Sequence, residues 1–531
     1  MGQCMERDLT LDAKVLSAAR IVEGELQQGS CFLGDDGIIR TRWHLYVTGT
    51  LKGPHARNLE VLTLGGQMGR WAQAVYPGPA LAPGNAGTVF VDAAGEVQQF
   101  VAHHHAESDV RLRNDILAIA GQDYIGLDNT IENGTVRTDA VISALMPSEL
   151  RAGTGDVLSI HGAGFGTVQG TGTVALRNAD TGGQTYVTIP QGELYLLWSD
   201  DLIQVRVPAA SVTSAMVCGT GTVRVMPDGA AAAESADTLR VQYARTEVMQ
   251  EFGLAPTVLA GPQNGGYLVE LNTSSEHLRG LTQMAIDRWA CATGINMSIG
   301  AANTTAGSWA NDGVNLIGMA AQGQLPAQQL ARTVVNLMGC GSIDNLTWSL
   351  IGFDVLFNPQ VEWNYSDGAP APDQYDLLTT LMHELGHAHL LQHIINPEAV
   401  MYHTIGMGQF RRDLIEGQCV AGGIDVVNEA LAEGTCSGQA HQPYSGEACA
   451  TLAVHTGQDE GLSIYPNPVT GTDVTLRGVT LGQPYMIVDS TGRIVFQGTC
   501  NSDRPMLPTA RLCPGTYVIH IESLAMRIIV L

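Results

Sequence analysis

Residues 383–393 read His-Glu-Leu-Gly-His-Ala-His-Leu-Leu-Gln-His and follow a helix-forming run, Asp376-Leu-Leu-Thr-Thr-Leu-Met382. His383 and His387 are four apart, so on a helix their imidazoles share one face, one turn apart, and can reach a single metal ion. Glu384 is turned about 100° from His383. There its carboxylate can meet a water at the metal without becoming a ligand. This is the HExxH signature. His393 cannot share the face by helical spacing, so it reaches the metal only where the chain leaves the helix just before it. Three protein ligands with one open position describe a catalytic metal centre rather than a structural one.

Beyond His393 comes Pro397-Glu-Ala-Val-Met-Tyr402. With it the segment resembles the metzincins, and within them the matrixins, which read HExxHxxGxxH followed by a Met-turn. The resemblance implies zinc on His383, His387 and His393, Glu384 as general base, and Met401 as an apolar floor beneath the metal. Tyr402 follows Met401 directly and is not expected to be a further ligand. One position departs from the family: Leu390 stands where the pattern has Gly. A left-handed turn costs a residue with a Cβ about 1–2 kcal/mol. The helix is therefore expected to break slightly later, or by another route, which bears on how His393 reaches the metal. His389 faces the other side of the helix and reads as packing. His403 reads as a solvated loop residue.

At 531 residues the chain is too long for one core and suggests several domains. A net charge of −25 without a basic stripe excludes nucleic acid as a partner. No apolar run is long enough to span a bilayer. The ten cysteines include no CxxC pair, which argues against cysteine metal sites and for disulfides in an exported protein. Pairings cannot be read from sequence, though local pairs such as Cys500 with Cys513 are candidates. The N-terminus lacks an apolar signal-peptide core, so export would require a signal already trimmed.

Residues 1–140 read as a β-rich domain with a connecting segment that holds one short helix around Val110–Ile119. They are similar to the N-terminal regions of exported bacterial matrixin-like proteins, but no cysteine-switch sequence surrounds Cys4 or Cys31. His103, His104 and His105 read as a solvated domain edge. Residues 141–245 resemble an IPT/TIG immunoglobulin-like sandwich, on Asp156-Val-Leu-Ser-Ile-His-Gly-Ala-Gly-Phe-Gly166, Trp198–Pro208 and Gly219–Val225. They are read chiefly as a spacer.

Residues 246–450 read as the catalytic domain, with strand, helix, strands and then the metal helix, which is the matrixin order. In that family the strand before the last is the sheet's exposed edge, to which a peptide adds as a further strand. By position that edge is residues 330–337, with Ala331, Arg332, Thr333, Val334 and Val335 facing the substrate backbone. The loop from Trp363 to Asp373 could hold calcium, as in many relatives, although it matches no defined calcium motif. Gly434–Cys449 and residues 451–460 read as linker. Residues 461–531 are similar to the type IX secretion sorting domain of Bacteroidetes-type bacteria, on Leu462-Ser-Ile-Tyr-Pro-Asn-Pro468, Asp489-Ser-Thr-Gly-Arg-Ile-Val495 and Leu512-Cys-Pro-Gly-Thr-Tyr-Val-Ile-His-Ile521.

The expected fold class is thus multidomain. A metzincin-type α/β catalytic domain, a twisted sheet plus the zinc helix, is flanked by a β-rich N-terminal domain, an Ig-like sandwich and a C-terminal β-sandwich. The expected function is that of a secreted or surface-bound zinc endopeptidase, a monomer. Its partners are protein or peptide substrates and the type IX secretion machinery. The alternative is a surface-displayed binding or adhesion protein whose metal site is degenerate at Leu390.

Overall fold

The computed structural model describes residues 6–530 except 8–9, 77–80, 82, 104–105, 127–139, 213–215, 251–252, 264, 274, 305–308, 343–344, 433–439, 445–448, 450–462, 466–472, 478, 480, 490–492, 501, 503–504, 510–511, 513–514 and 522–523. The chain divides into one compact unit ending at Cys449 and a second beginning at Ala450. Cys4, His104, His105 and the expected linker 451–460 lie outside the described residues.

In the N-terminal part, long alternating strands pair antiparallel in the order Asn58–Leu64, Ile39–Lys52, Arg20–Leu33, Ala86–Val91, Val97–Ala102. Their inward residues, among them Val22, Leu26, Trp43, Leu45 and Val89, form a core of their own. A hairpin lies outside this sheet, made of Gly66–Met68 and β1 (Trp71–Tyr76). The helix expected near Val110 is longer than predicted, Ala106–Ala120.

The middle region is a two-sheet sandwich. Leu158, Ile160, Ile203 and Val205 of one sheet share a core with Val174, Leu176, Val223 and Val225 of the other. It is not a spacer. Its second sheet runs on through Glu247–Gln250 and Gly253–Leu259 into the catalytic sheet, making one sheet of fourteen strands.

The catalytic part follows from its apolar runs. Strand β2 (Tyr267–Leu271) leads into helix α1 (Glu276–Thr293), and β3 (Met297–Asn303) returns parallel to β2. Such a return requires a crossover helix. Ser275 caps α1 at its start, and Gly294, at φ 81°, ends it. Strands β4 (Asn315–Met319), β5 (Ala331–Ser342) and β6 (Asn345–Phe357) complete the order β3-β2-β4-β6-β5, with only β5 antiparallel to its neighbour. Helix α2 (Leu377–Ala388) then crosses beneath the sheet, buried along its whole length and N-capped by Asp376. Its apolar residues Leu377, Leu378, Leu381, Met382 and Leu385 belong to the core, and its polar ones are buried with them. It packs on α1, where the Trp289 indole donates to the Met382 carbonyl at 2.9 Å.

The edge expected to be exposed is occupied. β1 pairs antiparallel with β5 from Thr333↔Tyr76 to Met338↔Trp71, and residues 331–335 are all buried. The expected linker 434–449 is likewise partly anchored. Ala440 bridges to Ala260, Gln442 and Tyr444 bond the backbone of Gly265 and Gly294, and Cys449 forms a disulfide with Cys291 of α1. Cys340 is also disulfide-bonded.

In the second unit, strands Ile494–Thr499, Pro484–Asp489, Gly515–Ile521 and Leu524–Val530 form one antiparallel sheet, and Ser463–Tyr465, Val474–Arg477 and Met506–Leu507 another. Val474, Leu476, Ile487, Leu507, Ile519 and Ile528 fill the core. Cys500 is a buried free thiol, and Cys513, its suggested partner, lies outside the described residues.

Candidate metal centre

Helix α2 carries His383 and His387 one turn apart and delivers Glu384 between them, all with no exposed surface. The chain exits the helix where the matrixin pattern does, not later. The Leu391 N–H reaches the Gly386 carbonyl at 3.0 Å, and the Leu390 N–H reaches that of His387 at 2.9 Å. This is a Schellman cap, whose left-handed position glycine usually fills. Leu390 occupies it at φ 64°, alone among the described non-glycine residues in having positive φ. The expectation of a later break is therefore corrected: Leu390 adopts the glycine conformation itself. Its side chain is fully buried, and its carbonyl accepts the Thr246 N–H at 2.8 Å. Next to it, Gln392 N–H bonds the Ala244 carbonyl at 2.9 Å. Burial of a leucine is worth about 2–3 kcal/mol, which outweighs the turn's strain.

The exit brings His393 back to the pair. Its Nε2 lies 3.2 Å from that of His383, and the Nε2 of His387 lies 3.1 Å from the same atom. Each Nδ1 has an acceptor: Val400 carbonyl at 2.7 Å for His383, Leu391 carbonyl at 2.9 Å for His387, and Asp180 Oδ1 at 3.1 Å for His393. With the protons on Nδ1, three Nε2 lone pairs face one another. Burial holds all three rings neutral, His393 down to about 3. Facing lone pairs repel unless a cation lies among them. A tetrahedral ion with bonds near 2.05 Å separates its nitrogens by about 3.3 Å, close to what is found. The donor set therefore fits zinc. Among the described residues these three form the one such metal-holding group.

Below the site, a Cβ on Gly386 would meet Met401 Sδ at 2.2 Å, so Met401 packs directly on the helix backbone. Tyr402 lies against His403 and under the Arg411 guanidinium. His403 is not solvated: it is buried, with its pKa pushed down to about 2 by burial. His389 packs edge-on to Trp289. Arg412 holds Asp376 and the carbonyls of Asp367 and Gly368, while Arg411 grips the carbonyls of Pro397 and Thr404. The 363–373 loop, which could have held calcium, is thus tied down by Arg412 and contributes to no metal-holding group among the described residues.

Comparison with known proteins agrees with this geometry. Residues 346–416 match the matrixin family of peptidases, from β6 through α2 and the Met401 turn. The chain carries a matrixin domain. A matrixin domain indicates a metallopeptidase, and the family implies zinc. Residues 463–530 match the secretion system C-terminal sorting domain, which indicates type IX export to the cell surface or medium of a Bacteroidetes bacterium and contact with that machinery. No curated protein matches. Among solved structures, one described as a crystal structure with a xylogluco-oligosaccharide is 11% identical over 73% of this chain, with a TM-score of 0.15. The chain covers 60% of that protein, and a likeness so slight carries no argument.

Several contacts around the centre carry no local sequence signal, one of them made by Thr333, which was expected only as part of the substrate edge. Thr333 Oγ1 donates to Glu384 Oε2 at 2.5 Å. Tyr76 of β1 stacks on His387 at 4.4 Å and 5°. Its hydroxyl accepts from Gln392 Nε2 at 2.8 Å. On the other side of the segment, Glu6–Arg7 pairs parallel with Thr404–Ile405, just past Tyr402. Cys31 plays no part in the centre, its Sγ lying 3.3 Å from Thr41 Oγ1.

Proposed function

We propose that this chain is an exported zinc endopeptidase and that the form described is its closed state. What carries the reading is the convergence of three neutral imidazoles on one point, with the Glu384 carboxylate beside them. Zinc held there supplies Lewis acidity, activating a water and polarising the scissile carbonyl. His383, His387 and His393 are the ligands, and their Nδ1 acceptors fix each ring's tautomer and direction. Glu384 takes the water's proton and hands it to the leaving amine. Met401 supports the helix from below.

A peptide substrate adds to β5 along Ala331, Arg332, Thr333, Val334 and Val335 through main-chain hydrogen bonds. β1 now holds that place, in the antiparallel sense, and Tyr76 covers His387. Substrate therefore has to displace β1, which gives the N-terminal domain the role of a cover. The middle sandwich keeps its IPT/TIG likeness as part of this proposal. Calcium has no comparable support. The reading of a binding protein with a degenerate metal site is not favoured, since Leu390 leaves the three imidazoles together.

The test is hydrolysis of casein by the protein and by its Glu384→Ala form, each before and after limited proteolysis near residue 80. Cleavage that appears on opening, and only with Glu384 present, is the expected result. Equal activity in both forms would refute the assignment.

A further inference from the structure

His393 is the ligand whose Nδ1 is served by a side chain rather than a backbone carbonyl. That side chain is Asp180, which lies 213 residues earlier in the sandwich and outside the matrixin match. Both partners are fully buried, with Nδ1 and Oδ1 3.1 Å apart. The turn that presents Asp180 is built for it. The strand Thr173–Asn178 ends in a short 3₁₀ turn, Ala179–Thr181. Asn178 Oδ1 accepts the Asp180 N–H at 2.9 Å, and Thr181 Oγ1 donates to the Asn178 carbonyl at 3.2 Å. Gly182 follows at φ 60°. A Cβ there would lie 2.6 Å from the Tyr402 hydroxyl and 2.5 Å from His403 Nε2. The turn is thus seated against the residues that follow Met401.

We propose that Asp180 is a positioning residue of the metal centre, so that the sandwich completes the site. The inference rests on the zinc reading above. The carboxylate fixes the His393 tautomer with Nε2 toward the metal and makes that nitrogen more electron-rich. It also supplies charge: three neutral imidazoles around a divalent cation leave two positive charges in a buried place. The carboxylates of Glu384 and Asp180 balance them. A carboxylate behind a ligating imidazole is worth about 10- to 100-fold in metal affinity.

The measurement is the zinc dissociation constant of the full chain, by competition with a chromophoric chelator, for wild type, Asp180→Asn and Asp180→Ala. The cobalt-loaded proteins are compared by visible absorption, and melting of the metal-free proteins controls for folding. Asp180→Ala is expected to weaken zinc binding by about 10- to 100-fold and to alter the cobalt bands. Asp180→Asn, which keeps an acceptor oxygen but loses the charge, should fall between. Should the alanine variant not fold, the asparagine variant decides. Zinc affinities within about threefold of wild type with unchanged cobalt bands would overturn the proposal, leaving Asp180 as packing. If wild type itself fails to bind zinc tightly, the metallopeptidase reading falls instead.

Discussion

At the scale of single residues, Leu390 shows how a rule read from sequence can be correct in its physics and wrong in its consequence. The left-handed cap does disfavour a Cβ. The chain meets that cost by burying the leucine side chain and by bonding its carbonyl to Thr246. Leu390→Gly should relieve about 1 kcal/mol of backbone strain but lose about 3 kcal/mol or more of buried contact and cavity. The variant is expected to be less stable by about 2 kcal/mol in denaturant melts, while still binding zinc. A stabilised variant would mean that the strain dominates. His383, Glu384 and His387 were legible because helix spacing encodes them, while His393 and Met401 were legible only through the matrixin pattern that follows the helix. Asp180 and Tyr76 were not, and Thr333 was read only as part of the edge strand, not as a partner of Glu384. Each reaches the site from a distant part of the chain, and neither spacing nor residue type distinguishes them from ordinary neighbours.

At the scale of elements, the order strand, helix, strands, metal helix was legible because period and apolar runs encode it. What occupies the outer edge of β5 was not, because strand pairing between domains leaves no local mark. β1 is a short run, Trp71-Ala-Gln-Ala-Val-Tyr76, with nothing in its sequence to set it apart, yet it pairs with β5 rather than with the N-terminal sheet. Proline removes a backbone donor and is poorly tolerated inside a ladder. In an antiparallel pair the donors of successive residues point to opposite sides, so proline at either Ala74 or Val75 must strike the bonds to β5. Ala74→Pro and Val75→Pro, made singly, are expected to raise casein or peptide hydrolysis, one of them by about tenfold or more. Activity unchanged in both, with the metal helix intact, would show that β1 does not limit access.

At the scale of the whole molecule, boundaries drawn from family likeness made the sandwich and the catalytic domain separate bodies. A single sheet joins them instead, through Glu247–Gln250 and Gly253–Leu259. Glu247 sits at this junction, accepting the Ala209 N–H at 3.1 Å, and burial raises its pKa from 4.5 to about 7. A raised folded pKa contributes stability that is complete below about 4.5 and is lost as pH rises through about 7. Relative to Glu247→Gln, the wild type should lose up to about 3 kcal/mol over that range. Melting curves at pH 5 and pH 8 would read this as a growing advantage of the variant. A constant difference would place the ionised carboxylate in a better-solvated junction.

The most direct test of the central claim joins metal and chemistry in one sample. Zinc content and casein hydrolysis are measured on the β1-opened protein with Glu384 and with Glu384→Ala. The account predicts one zinc per chain in both and hydrolysis only where Glu384 is present. Absence of zinc, or hydrolysis unaffected by losing Glu384, would contradict it.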